Sequence, residues 1–131
     1  MASDRLLLDS HALLFAAATP EKLTSITRQL LRSERTEVYI SVATIWELLM
    51  KARKGKLSLG GDPENELRLY CRILRATILP IIAQHAYLAV ALDAIHKDPF
   101  DRMLIAQAKF EDLSLVTADA KVREYGVRVI W

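Results

Sequence analysis

The sequence predicts an α/β domain: a central, mostly parallel sheet of about five strands flanked by helices. Two observations lead there. Short strand-like runs recur at Arg5–Leu8, Glu37–Ile40, Thr77–Pro80, Ser114–Thr117 and Val127–Ile130, and segments with helical spacing separate them. Strands that alternate with helices pair in parallel and are covered on both faces. The length of 131 residues fits one domain, residues 1–131, with enough chain for a real core.

The chain supports this reading in order. Leu6-Leu7-Leu8 is apolar throughout and ends in Asp9, as a buried strand with a carboxylate at its C-terminal end would. Ser10 is placed to cap a helix over His11–Ala17, stopped near Thr19-Pro20. Leu23, Ile26 and Leu30 space an apolar face along a helix over Leu23–Ser33, with Arg28, Arg32 and Arg35 on its polar side. After the β-branched and aromatic run Glu37–Ile40, Ser41 or Thr44 can cap a helix that reaches Arg53. Its apolar face is Ile45, Leu48, Leu49 and Ala52, and Gly55 ends it.

Gly60-Gly61-Asp62-Pro63 is the clearest break, with Pro63 opening a helix to about Arg75. Leu67, Tyr70, Cys71 and Leu74 share one face of it, and Arg68, Arg72 and Arg75 form a neighbouring stripe. A strand at Thr77–Pro80 and a helix over Ala83–Ala94 follow. In His96-Lys97-Asp98-Pro99-Phe100-Asp101-Arg102, Pro99 suits a first helical turn and Asp98 the N-cap before it. Asp101 then projects from the start of a helix running to about Glu111. Ser114–Thr117 is followed at once by Ala118-Asp119 and a helix near Ala120–Tyr125, closed by Gly126. Trp131 packs the end of the last strand.

Composition excludes several classes. Apolar content of 52% and charged content of 26% belong to a globular protein, and no apolar run approaches the ~20 residues of a membrane span. Asp4 and Arg5 break any signal-peptide pattern. The single Cys71 rules out an internal disulfide, fits a reducing cytoplasm and reads as a small packing residue. A net charge of +2 is too weak to argue for nucleic acid by itself.

The informative residues are acids. Asp9 and Asp119 fall just beyond strand C-termini, the edge where α/β sheets bind ligands, and Asp101 is placed on the same edge. Glu47, inside Ile45-Trp46-Glu47-Leu48-Leu49, carries two readings: a buried acid that needs a partner, or an exposed one paired with Lys51 at i+4. Clustered carboxylates repel one another unless a cation joins them. His11, His85 and His96 are scattered without zinc spacing, so oxygen ligands alone point to Mg²⁺ or Mn²⁺. Ser10 and Thr117 are secondary candidates for bonding those carboxylates, and equally serve as caps. Trp46 reads as core, and His11 as a local hydrogen-bonding residue near the cleft.

Four stretches resemble one family: Leu6-Leu7-Leu8-Asp9-Ser10-His11-Ala12-Leu13-Leu14, Ser41-Val42-Ala43-Thr44-Ile45-Trp46-Glu47, the run from His96 to Ala108, and Leu115-Val116-Thr117-Ala118-Asp119. They are similar to the PIN domain, and more narrowly to VapC-type toxins of bacterial toxin–antitoxin pairs. The departures are Ser10, where Thr is commoner, and Phe15, where Trp is commoner; both keep the chemistry of the position. The resemblance implies a metal-dependent endoribonuclease with Asp9, Glu47, Asp101 and Asp119 as its acids and Asp98 as a secondary one. Asp9 and Asp101 would be direct ligands of Mg²⁺ or Mn²⁺, and Glu47 and Asp119 would complete the shell directly or through water. The water so activated would cut an RNA phosphodiester. Arg102 and the basic residues at Lys51–Lys56 would position the RNA backbone.

It further implies a cytoplasmic homodimer held inactive by a VapB-like antitoxin. Leu67, Tyr70 and Leu74 with Arg68, Arg72 and Arg75 are the surface expected to meet that partner. Two alternatives remain open: a PIN nuclease of RNA processing or decay without an antitoxin, and a degenerate PIN module that only binds. Phosphotransfer folds of the dehalogenase type also place Asp after the first strand, but want a second Asp two residues on, where His11 stands. Receiver folds want an acidic pair that is not evident.

Overall fold

The computed structural model describes residues 4–131 as one five-stranded sheet in the order β3-β2-β1-β4-β5, parallel at every pairing. The strands are β1 (Arg5–Leu8), β2 (Glu37–Ser41), β3 (Thr77–Leu79), β4 (Ser114–Val116) and β5 (Val129–Ile130). The helices are α1 (Ser10–Ala18), α2 (Ser25–Arg32), α3 (Val42–Arg53), α4 (Pro63–Ile73), α5 (Ala83–Ala91) and α6 (Pro99–Glu111), with 3₁₀ turns at Pro20–Lys22 and Ala120–Tyr125. Among the described residues, no helix is long and apolar enough to cross a membrane.

The side-chain alternation of β1 divides the core in two. Leu6 and Leu8 face Leu13, Leu48 and Leu67 of α1, α3 and α4; Leu7 faces Leu104, Ile105 and Ala108 of α6 and Leu115 of β4. Leu6, Leu7 and Leu8 are all fully buried, as a central parallel strand requires. Side chains such as these each contribute about 1.5–3 kcal/mol on burial.

Several local expectations change. Asp9, not Ser10, caps α1: its backbone is extended, and its carboxylate accepts the Ala12 N–H at 2.8 Å. Helix α2 starts only after Thr24, so Leu23 lies outside it and the spacing from Leu23 through Ile26 to Leu30 does not trace one face. Ile26 is 67% exposed, and Thr27 is buried with its hydroxyl bonded to Thr24 at 2.9 Å. Ser41 caps α3, while Thr44 lies buried inside it. The buried side of α3 is Ala43, Thr44, Glu47 and Leu48, which leaves Trp46 59% exposed with the edge of Phe100 against it at 5.5 Å. Trp46 is therefore not core. The segment Ala120–Tyr125 forms 3₁₀ turns rather than an α-helix. Gly126 closes it at φ +78°, a conformation that favours glycine. Trp131 packs against Phe15 as expected.

Arg102 has a structural role. Helix α5 ends at Ala91, short of Ala94, and the Arg102 guanidinium closes the exit. Nη2 donates to the carbonyls of Ala89 (2.8 Å) and Leu92 (2.7 Å), and Nη1 to those of Asp93 (2.9 Å) and His96 (3.0 Å). Orphan carbonyls at a helix C-terminus need such donors, and a planar fork reaches several at once. The cation expected to hold RNA is bonded to the loop Leu92–His96 instead. Arg102→Met keeps the stem and removes the donors. Urea unfolding is expected to show a loss of about 2–3 kcal/mol; a loss within experimental error would mean the loop does not depend on this clamp.

Candidate active site

Parallel pairing puts every strand C-terminus on one edge. From β1 the chain runs outward to β2 and β3, then crosses back to β4 on the other side of β1. The crevice at such a reversal is where open α/β sheets bind ligands. Here it is a cleft of about 380 Å³ lined by Asp9, Ser10, His11, Glu47, Lys51, Asp98, Asp101, Thr117, Ala118 and Asp119.

Each acid is delivered by a definite element. Asp9 follows β1, and its own N–H extends the ladder to the Val116 carbonyl at 3.1 Å, which fixes it beside Thr117. Asp119 follows β4, where its N–H donates to Thr117 Oγ1 (3.1 Å) and its Oδ1 caps the 3₁₀ turn at Lys121 N–H (3.0 Å). Asp98 caps α6 by accepting the N–H groups of Phe100 (2.8 Å) and Asp101 (3.3 Å), with Pro99 in the first turn as expected. Asp101 projects from that first turn. Glu47 comes from α3 and is buried, and Lys51 Nζ meets its Oε2 at 3.1 Å. Both readings of Glu47 thus hold in part: it is buried in the cleft wall, and its partner is the lysine one turn on.

The cleft is electrostatically loaded. Burial pushes the Asp9 carboxyl above its ordinary range, and the Glu47 charge adds to this. The Ala12 N–H, the Thr117 hydroxyl and His11 oppose the shift. Asp101 is pushed up to about 6, first by burial, then by Asp98, with Asp9 and Glu47 contributing; His96 opposes it. At Asp119 burial acts upward but is outweighed by hydrogen bonds from His96 and the Lys121 N–H, so this carboxyl is held below the usual range. Carboxylates gathered in one cleft, two of them pushed up by burial and by neighbouring acids, with Lys51 paired to Glu47, are a donor set suited to a hard divalent cation.

The cleft gathers Asp9, Glu47, Asp101, Asp119, Asp98, Ser10 and Thr117; Arg102 does not line it. Ser10 lies in its wall without acting as a cap. Sequence reasoning missed His96, grouped there with scattered histidines. Its Nε2 lies 2.7 Å from Asp119 Oδ2 and 3.3 Å from Asp101 Oδ2, and these three residues could together hold a metal ion. Only its nearness in sequence to Asp98 and Asp101 could have marked it, because the contact to Asp119 spans 23 residues.

The raised carboxyls carry a stability consequence. Between the ordinary value of 3.8 and about 6, the folded chain binds a proton at Asp101 that the unfolded chain lacks, and Asp9 is shifted in the same direction. The contribution of these groups to metal-free stability is therefore present at low pH and lost as pH rises through 6. Asp101→Asn removes the charge at every pH. With chelator at pH 8 it is expected to raise the melting temperature by about 3 °C, an effect of about 1 kcal/mol after discounting for solvent screening at this partly exposed side chain. At pH 4 the two proteins should differ little. A destabilised variant at pH 8 would contradict the repulsion.

Comparison with known proteins agrees with this arrangement. The PIN domain family pattern matches residues 6–127. No match is found among curated proteins. Solved structures of similar fold include the crystal structure of VapBC2 from Rickettsia felis bound to a DNA fragment from their promoter. It has a TM-score of 0.71 at 16% identity and covers 96% of this chain and 97% of that one. FitAcB from Neisseria gonorrhoeae gives 0.67 at 22% identity, covering 96% of each chain. VapBC-1 from nontypeable Haemophilus influenzae gives 0.68 at 14% identity, again covering 96% of each. At these identities the likeness is one of fold. The family pattern reaches from β1 past β4 and takes in every acid of the cleft, and the chain belongs to the PIN domain family.

Proposed function

We propose that this chain is a divalent-metal-dependent endoribonuclease, the toxin of a VapC-type toxin–antitoxin pair, acting in the cytoplasm as a homodimer. The observation that carries the reading is the convergence of Asp9, Glu47, Asp101 and Asp119 on one cleft, where burial and then neighbouring acids push the Asp9 and Asp101 carboxyls up. Asp9 and Asp101 would hold Mg²⁺ or Mn²⁺, with Glu47 and Asp119 completing the oxygen donors directly or through water. A bound cation of this class lowers the pKa of a coordinated water and offers charge to phosphate oxygens.

The chain's own residues do the rest. Thr117 opposes the upward push on Asp9, and its Oγ1, accepting the Asp119 N–H, places both acids beside one turn. Lys51 holds Glu47 oriented at the cleft wall. With Arg102 bonded to the loop, Lys51 and Arg53 at the end of α3, and Lys54 and Lys56 just beyond it, are the groups left to attract an RNA backbone from this side.

Asp9→Asn and Asp101→Asn, each shown to be folded by circular dichroism, are expected to lower cleavage of a mixed RNA pool by at least about 100-fold, and EDTA should abolish cutting by the wild-type protein. Full activity in either variant, or undiminished cutting in EDTA, would sink the assignment.

The antitoxin face needs revision. Leu67 is 3% exposed and belongs to the core, with Tyr70 and Leu74 packed on it, so these side chains do not form an open apolar stripe. Beside them a groove of about 520 Å³ between α3 and α4 is lined by Ile45, Leu49, Cys71 and Ile78, with Arg68 and Arg72 at its edge. Arg68 already meets Glu64 at 2.8 Å, which leaves Arg72 as the freer cation. An antitoxin segment with apolar and acidic side chains fits such a groove. The resemblance to VapC-type toxins and the likeness in fold to chains of VapBC2 and VapBC-1 support a partner of this kind. Arg72→Glu is expected to weaken the co-expressed complex by about tenfold or more without altering RNase activity of the free protein. An unchanged complex would move the partner to another face.

A further inference from the structure

We infer that His96 is a positioning residue: it donates its ring N–H to Asp119, beside Asp101, and holds the Asp119 carboxylate ready for a cation without binding the cation itself. The inference rests on the metal-nuclease reading above and assigns a role inside it.

Three bonds fix the residue. Its backbone N–H donates to Tyr125 Oη at 2.7 Å, and Tyr125 in turn donates to the Asp93 carbonyl at 2.8 Å. Its carbonyl accepts from Arg102 at 3.0 Å. Its ring Nδ1 accepts the Asp98 N–H at 3.2 Å. The last bond decides the tautomer. A backbone N–H always donates, so Nδ1 presents its lone pair to it, and the ring proton sits on Nε2. That nitrogen donates to Asp119 Oδ2 at 2.7 Å, with Asp101 Oδ2 beside the bond at 3.3 Å. A protonated Nε2 has no lone pair for a cation. Ligation through Nε2 would move the proton to Nδ1 and set it against the Asp98 N–H, donor against donor.

The arrangement suits what the Asp119 carboxylate needs before a cation arrives. Oδ1 of Asp119 is already bonded to Lys121 N–H, so the His96 bond fixes the other oxygen and with it the plane of the group. Hydrogen-bond partners behind metal ligands commonly influence affinity by about 10–100-fold.

The test uses the purified full chain with Mn²⁺. Calorimetry should show Mn²⁺ affinity falling about tenfold or more in His96→Leu and recovering to within about threefold of wild type in His96→Gln, whose amide N–H₂ reaches to where Nε2 stands. Pulsed electron paramagnetic resonance of the wild-type Mn²⁺ complex should show none of the strong nitrogen coupling of a directly bound imidazole. Wild-type affinity in His96→Leu, a His96→Gln variant as weak as the leucine one, or that nitrogen coupling would each overturn the inference while leaving the metal site standing. If His96→Leu fails to fold, the glutamine variant and the wild-type spectrum still decide. A wild-type protein that binds no Mn²⁺ would overturn the metal reading and this inference together.

Discussion

The pairing of β1 in parallel with both β2 and β4 is the constraint on which the site depends. It buries Leu6, Leu7 and Leu8 between two helical layers, and it forces β1 and β4 to end on the same edge, one strand spacing apart. Asp9 and Asp119 follow those two ends. Once α6 packs Leu104, Ile105 and Ala108 onto Leu7, its N-terminus with Asp98 and Asp101 is carried to that edge as well. The cleft is thus a consequence of sheet topology, with no long loop needed to close it.

Helix capping and catalytic chemistry use the same groups here. Asp9, Asp98 and Asp119 each accept backbone N–H bonds at the start of a helix or 3₁₀ turn. Those bonds favour the charged carboxylate, as the positive end of a helix dipole does, and partly offset the repulsion that burial and crowding create. Asp101 has no cap to make and carries the largest upward push. The fold therefore tolerates an acid-rich cleft by giving most of its acids a second, local bonding duty, and leaves the remainder of the repulsion for a cation to relieve.

Much of this was legible in the sequence. Strand positions followed from short apolar or β-branched runs, and the parallel sheet from their alternation with helices, because those patterns depend on local burial. Asp9, Asp119 and Asp101 could be placed because strand ends and a Pro-marked helix start locate them along the chain, whereas Glu47, inside α3, stayed open between two readings. What escaped was set by contacts distant in sequence. His96 reaches Asp119 through the fold, and Arg102 serves carbonyls that no side-chain pattern announces. Trp46 is exposed because α3 turns its small residues and Glu47 inward. A one-residue difference in the α1 cap, and a helix that begins after Thr24, were enough to misassign Ser10 and the face of Ile26.

The most direct test of the central claim is anomalous diffraction from crystals of the protein soaked in Mn²⁺. An ion bound by the carboxylates of Asp9 and Asp101, at the roughly 2.0–2.2 Å of hard-cation oxygen ligation, is the expected result. A cleft that stays free of manganese at concentrations that saturate such sites, or an ion ordered only elsewhere on the chain, would contradict it.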